Sequence, residues 1–137
     1  MCLEDSLTGA LQVFCGGSIY DETTIITAAH CCDGCDWTEN PKVIAGDLDT
    51  SLDSGYEQVR GISNIMTHPA WLGADISFAN DLCLLTLDSP LELNDQVKSI
   101  ALDEAEPVPD TNCIVSGWGT LSVRNLGLHS FIYFITL

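Results

Sequence analysis

The segment TAAHCC, Thr27 to Cys32, sets an imidazole, His30, directly before paired cysteines. A histidine placed this way has three uses: a proton acceptor in catalysis, a metal ligand, or a hydrogen-bonded core residue. Zinc is the most local reading, because His30, Cys31, Cys32 and Cys35 form an H-C-C-x-x-C cluster of suitable ligand types. Adjacent residues rarely converge on one tetrahedral ion, which weighs against it. A catalytic use needs a carboxylate to orient the ring and a hydroxyl to deprotonate, and both must come from elsewhere in the chain.

The elements that must position such a group are strands. Short β-prone runs recur between Gly, Asp, Asn and Pro: LQVFC, TTIITAA, PKVIAG, EQVRGISNIM, DLCLLTL, KSIAL and NCIVSGW. That spacing predicts an all-β barrel or sandwich. DLCLLTL is apolar at nearly every position, which in a strand predicts burial on both faces. DEAEPVPD, residues 103 to 110, concentrates acids and prolines and reads as an extended, solvated connection that cannot enter a central sheet. After Asp110 the acids stop, and Arg124 is the one formal charge in a tail that ends FIYFITL.

Composition narrows the partners. With 137 residues, 46% of them hydrophobic, the chain has the size and apolar content of one domain. Twenty acidic residues against four basic ones give a net charge of -16, which repels nucleic-acid phosphates and anionic lipid alike. No stretch approaches the roughly 18 apolar residues of a membrane span. Neither nucleic acid nor membrane is therefore an expected partner. Seven cysteines at this density point to an oxidising compartment, and an odd count leaves at least one outside any internal pairing. MCLEDSLTGA has neither the basic start nor the apolar stretch of a secretory signal, so that address is expected upstream or is missing.

Three segments, in order, carry a resemblance. FCGGSIYDETTIITAAHC resembles the histidine segment of chymotrypsin/trypsin-like serine proteases, NDLCLLTL their aspartate segment, and CIVSGWGT a third segment of the same family. The likeness runs from about Phe14 to Thr120 and is greatest to arthropod digestive members. It implies a chymotrypsin-like Greek-key β-barrel fold: a partial N-terminal barrel over 1–102, an inter-barrel connection over 103–112, and over 113–137 the first strand of a second barrel followed by an unrelated apolar tail. It also implies that His30 is the general base and that Asp81 holds its tautomer and offsets the imidazolium charge. An intact relative would hydrolyse peptide bonds of protein substrates outside the cell.

The resemblance also defines what is expected to be missing. The family order is His, Asp, Ser, with the serine roughly ninety residues past the aspartate. No GDSGG-like segment follows Asp81, so the nucleophile, the oxyanion donors and the specificity pocket are absent from these residues. No Ile-Val-Gly-Gly-like activation segment precedes Phe14. Asp53-Ser54-Gly55 contains the letters DSG, but it lies between His30 and Asp81 and reads as a turn. Ser116 matches a strand residue. The chain as written is thus expected to be inactive, as an incomplete product truncated at both ends. The alternative is a non-catalytic protease homologue that binds or regulates a partner.

The family likewise implies a Cys15–Cys31 disulfide beside the histidine, and a partner for Cys113 in the second barrel. Cys32 and Cys35 are left to close a small loop, Cys83 to pack as an apolar residue, and Cys2 is unassigned. GDLDTSLDSGYEQ, residues 46 to 58, matches in length a loop that binds calcium in some trypsins, with Asp47 and Glu57 as its carboxylates. Ser54 stands where that loop has an inner acid, so a solvated acidic loop is the first reading and no cofactor or metal is expected. His68-Pro69 fits a surface segment.

Overall fold

The computed structural model describes residues 2–4, 11–35, 37, 40–105, 108–112, 114–118 and 134–136. Cys113 lies outside them, and so do most of the residues after Trp118. The described strands are β1 (Cys2–Glu4), β2 (Leu11–Val13), β3 (Ser18–Ile19), β4 (Thr24–Thr27), β5 (Lys42–Ala45), β6 (Gln58–Thr67), β7 (Cys83–Leu87), β8 (Ile114–Ser116) and β9 (Phe134–Thr136). One helical turn, α1 (Ala29–Asp33), interrupts them. The class is all-β, as the strand-and-turn spacing predicts.

Seven strands form one antiparallel sheet in the order β2-β1-β5-β6-β7-β4-β3, and β8 pairs with β9. β6 is the pivot of the sheet. Its first part, from Gln58 to Gly61, pairs with β5, and its second part, from Ile62 to Thr67, pairs with β7. A register shift between Ile62 and Asn64 places an extra residue in the strand, which bends it and curls the sheet. Gly61 sits at this corner because a Cβ there would strike Asp88 Oδ2, while its carbonyl accepts the Asp88 N–H at 3.0 Å.

The concave side holds the core. Alternation along the strands buries Ile25 and Thr27 of β4, Val43 and Ala45 of β5, and Cys83, Leu85 and Leu87 of β7. Leu91 and Val97, from the segment after β7, join it together with Ala29 and the other three disulfide cysteines, Cys15, Cys31 and Cys32. The expected two-sided burial of DLCLLTL is not what forms: Leu84 and Thr86 are half-buried and Leu82 is 44% exposed. An antiparallel strand packs one face on the core and leaves the other nearer solvent.

KSIAL is likewise not a strand. Among the described residues its backbone hydrogen bonding to the sheet is the one bond from Ile100 N–H to Ile19 O at 2.9 Å. The acidic segment from Asp103 to Ala105 and from Val108 to Asp110 is exposed and outside the sheets. Among the described residues no helix is long and apolar enough to cross a membrane.

Candidate active site

The ladder between β4 and β7 sets up the site. It ends at the pair Thr27↔Cys83, so the residues just after Thr27 and just before Cys83 emerge at the same place. On one side the chain turns into α1, which carries His30 as its second residue. A five-residue helix cannot persist alone, and Ala28 at its N-cap supplies no side-chain cap. Packing supplies what propensity does not, since Ala29, Cys31 and Cys32 are buried and Trp37 Nε1–H donates to Cys32 O at 2.9 Å.

On the other side Asn80 has φ of 62°, a left-handed conformation that asparagine tolerates better than most residues. Its amide donates to Ala70 O at 3.2 Å, and its carbonyl accepts from Leu82 N–H at 2.8 Å. That turn presents Asp81 to the helix.

His30 Nδ1 and Asp81 Oδ2 are 2.7 Å apart, and the backbone N–H of His30 donates to Asp81 Oδ1 at 2.8 Å. One carboxylate thus grips both the ring and the main chain of the same residue. A carboxylate offers only lone pairs, so this contact puts the proton on Nδ1 and leaves the Nε2 lone pair to accept another. Nε2 lies 3.5 Å from Cys31 Sγ, a disulfide sulfur with no proton to give. The side chains are 17% and 19% exposed, dry enough to strengthen the hydrogen bond yet open at the ring edge. Phe78 stands edge-on to the imidazole at 6.2 Å, and Trp71 lies 6.5 Å from Phe78. Trp71 Nε1–H in turn donates to Asp33 Oδ2 at the end of α1.

The cysteines are arranged as two bridges from adjacent residues. Cys15 is bonded to Cys31 and Cys32 to Cys83, with Cα separations of 6.2 and 6.7 Å. The expected Cys32–Cys35 loop does not form, and Cys83 is not a plain apolar filler. In α1 the side chain of Cys32 turns towards the start of β7, within bonding reach of Cys83, and Cys35 is buried past the helix end. With Cys31 and Cys32 both oxidised, the zinc reading loses two of its four ligands.

The second acidic feature is the loop from Gly46 to Gln58. Gly46 opens it with φ of 82°, where a Cβ would also meet Tyr56 O at 2.8 Å. Ser54 of the DSG triplet donates its hydroxyl to Glu57 Oε1 at 2.6 Å and its N–H at 2.8 Å, as a turn residue does. These two donors hold the Glu57 carboxyl down to about 2. Asp47 moves the other way, raised by burial and then by the Glu57 charge.

Asp47 Oδ1 and Glu57 Oε2 are buried and have no hydrogen-bond partner among the described residues. Two uncommitted hard oxygens fit a calcium ion, which these two residues would hold and whose charge would offset theirs.

Sequence reasoning missed α1, the Cys32–Cys83 bridge and the Asp33–Trp71 contact. A five-residue helix is too short to show a period, and the pairing signal, Cys two residues after His30 and Cys two residues after Asp81, is visible only once those two are placed together.

Known proteins give the same reading of the family. A family model described as trypsin matches residues 4–132, running past both ends of the Phe14–Thr120 likeness. The chain is 39% identical over 125 residues to Trypsin-1 of Astacus astacus, covering 89% of this chain and 52% of that protein. It is 40% identical over 110 residues to Trypsin zeta of Drosophila melanogaster, covering 79% and 38% respectively. With Serine protease 1 of Canis lupus familiaris it shares 35% identity over 106 residues, 77% of this chain and 40% of that one. The chain spans about half the length, or less, of these curated relatives. The all-β sheet, the ordered motifs and the matches agree: the chain belongs to the chymotrypsin/trypsin-like family of serine proteases.

Proposed function

We propose that this chain supplies the base and its orienting carboxylate to a secreted serine endopeptidase that hydrolyses peptide bonds in protein substrates. The observation that carries the reading is the double grip of Asp81 on His30, at 2.7 and 2.8 Å. In the proposed reaction the Nε2 lone pair of His30 takes the proton of a serine hydroxyl as that oxygen attacks the substrate carbonyl, and later returns it to the leaving amine. Asp81 keeps Nδ1 protonated throughout, so the basic nitrogen faces the nucleophile. It also stabilises the imidazolium while the proton is held.

The serine belongs to a segment these 137 residues do not contain, since no GDSGG-like run occurs in them. Secretion is supported by the two disulfides, which persist in oxidising compartments. The test is to sequence transcripts past the codon for Leu137, express the complete reading frame, and treat it with a serine-directed phosphonate and a peptide ester. The reading expects labelling of a serine in a GDSGG-like segment, and loss of both labelling and ester hydrolysis in His30→Ala. Complete transcripts that stop after Leu137 would overturn it in favour of a non-catalytic homologue, and ester hydrolysis indifferent to His30→Ala would overturn the assignment of His30 as the base.

A further inference from the structure

We propose that the Cys32–Cys83 disulfide is a positioning element for the His30–Asp81 pair, a role that rests on the functional reading above. The placement is symmetric: Cys32 lies two residues after His30, and Cys83 two residues after Asp81. The bond therefore ties together the two short segments whose side chains must meet.

Neither segment holds its own shape. α1 is one turn long and lacks a side-chain cap, and Asp81 hangs from a left-handed Asn80 before β7 begins. The Cys15–Cys31 bond anchors α1 covalently at one point, and the Trp37 and Trp71 hydrogen bonds to Cys32 O and Asp33 hold the turn non-covalently. Successive helical residues point about 100° apart, so a second bond from the next residue restrains the turn from another direction. Both sulfurs of that second bond are in the core, with Cys32 3% and Cys83 0% exposed, so the restraint is set against close-packed neighbours. What it fixes is a swivel of the turn that would carry the imidazole past the carboxylate. The two hydrogen bonds on Asp81 need both the ring and the main chain of His30 in place, and they tolerate little of that motion.

The test compares this chain with the double variant Cys32→Ala/Cys83→Ala, which leaves no new thiol. The readout is the downfield proton resonance of His30 Nδ1–H in its hydrogen bond to Asp81, recorded at neutral pH beside the protected amides of β4 and β7. The expected result is loss of the resonance, or exchange with water about tenfold faster or more, while the core amides stay protected. In the complete reading frame the same variant is expected to lower kcat by about 10²-fold with KM unchanged.

An unshifted, slowly exchanging resonance in the variant overturns the positioning role. If the complete protein has no activity before mutation, the functional reading fails and the resonance still decides this one. Should the alanine pair not fold, Cys32→Ala/Cys83→Val refills the space left by the sulfurs and carries the same comparison. Failure of both to fold would assign the bond to global stability and overturn the proposal.

Discussion

Two places in this molecule gather carboxylates beside the chain, and they handle them in opposite ways. At the α1 corner one carboxylate, Asp81, meets two donors from His30, and covalent bonds hold the donors in place. In the loop from Gly46 to Gln58, Asp47 and Glu57 face each other with Ser54 donating to only one of them. The corner satisfies its charge from within the chain, whereas the loop leaves two buried oxygens without a partner. Removing the carboxylate of Asp81 should therefore harm the corner, and removing that of Asp47 should relieve the loop.

The largest expected effect is at the corner. Asp81→Asn keeps the size but turns one acceptor into a donor facing the N–H groups of His30, leaving a part-buried donor unmatched. Thermal unfolding should show a loss of about 1–3 kcal/mol. A variant as stable as the parent would show that the corner does not depend on this carboxylate.

Next comes filling the loop instead of emptying it. Calcium at ten times its dissociation constant should add about 1.4 kcal/mol to stability by mass action and raise Tm accordingly. Asp47→Asn should abolish most of that response, and an equal response in the variant would place the ion elsewhere.

The smallest effect is Asp47→Asn without calcium, and its sign is opposite to that at Asp81. Because the Asp47 pKa is raised in the folded state, any stability it contributes is present below its unfolded value of 3.8 and lost as pH rises through the folded value. At neutral pH the ionised residue is a liability, and the asparagine variant should melt higher, by an order of a few tenths of a kcal/mol after solvent screening. That advantage should vanish below about pH 4. Glu57 runs the other way: its lowered pKa contributes stability above its ordinary 4.5, lost as pH falls towards about 2. A difference in Tm between parent and variant that does not change with pH for either Glu57→Gln or Asp47→Asn would erase the contrast between loop and corner.

The same contrast explains how far the sequence could be read. Alternation in TTIITAA and PKVIAG is a direct consequence of strand geometry, so β4, β5 and the all-β class are visible in the letters. His30 and Asp81 could be singled out because their types and flanking motifs are linear features, and the structure brings them to 2.7 Å. The bridge from Cys32 to Cys83 spans 51 residues and depends on where a one-turn helix points, which no local pattern encodes. KSIAL misleads for a related reason: its letters suit a strand, but β3 offers it a single bond at Ile19 and no ladder forms. The orphaned oxygens of Asp47 and Glu57 are invisible for a different reason, because an acidic run reads as solvated until the fold takes water away from it.

The β4–β7 ladder also has a consequence in time. Its partners are distant in sequence, and strands that pair across long loops meet slowly, because the chain entropy of closure is lost before any contact repays it. Until that ladder zips, the adjacent sulfurs of Cys31 and Cys32 are equally placed to oxidise with either of their eventual mates, and an exchanged pairing would lock α1 the wrong way round. Correct oxidation must therefore follow strand pairing rather than direct it. A nascent chain that meets an oxidant before residues 83–87 have emerged can close a bond from Cys15 to either Cys31 or Cys32, and only the first is the one the fold uses.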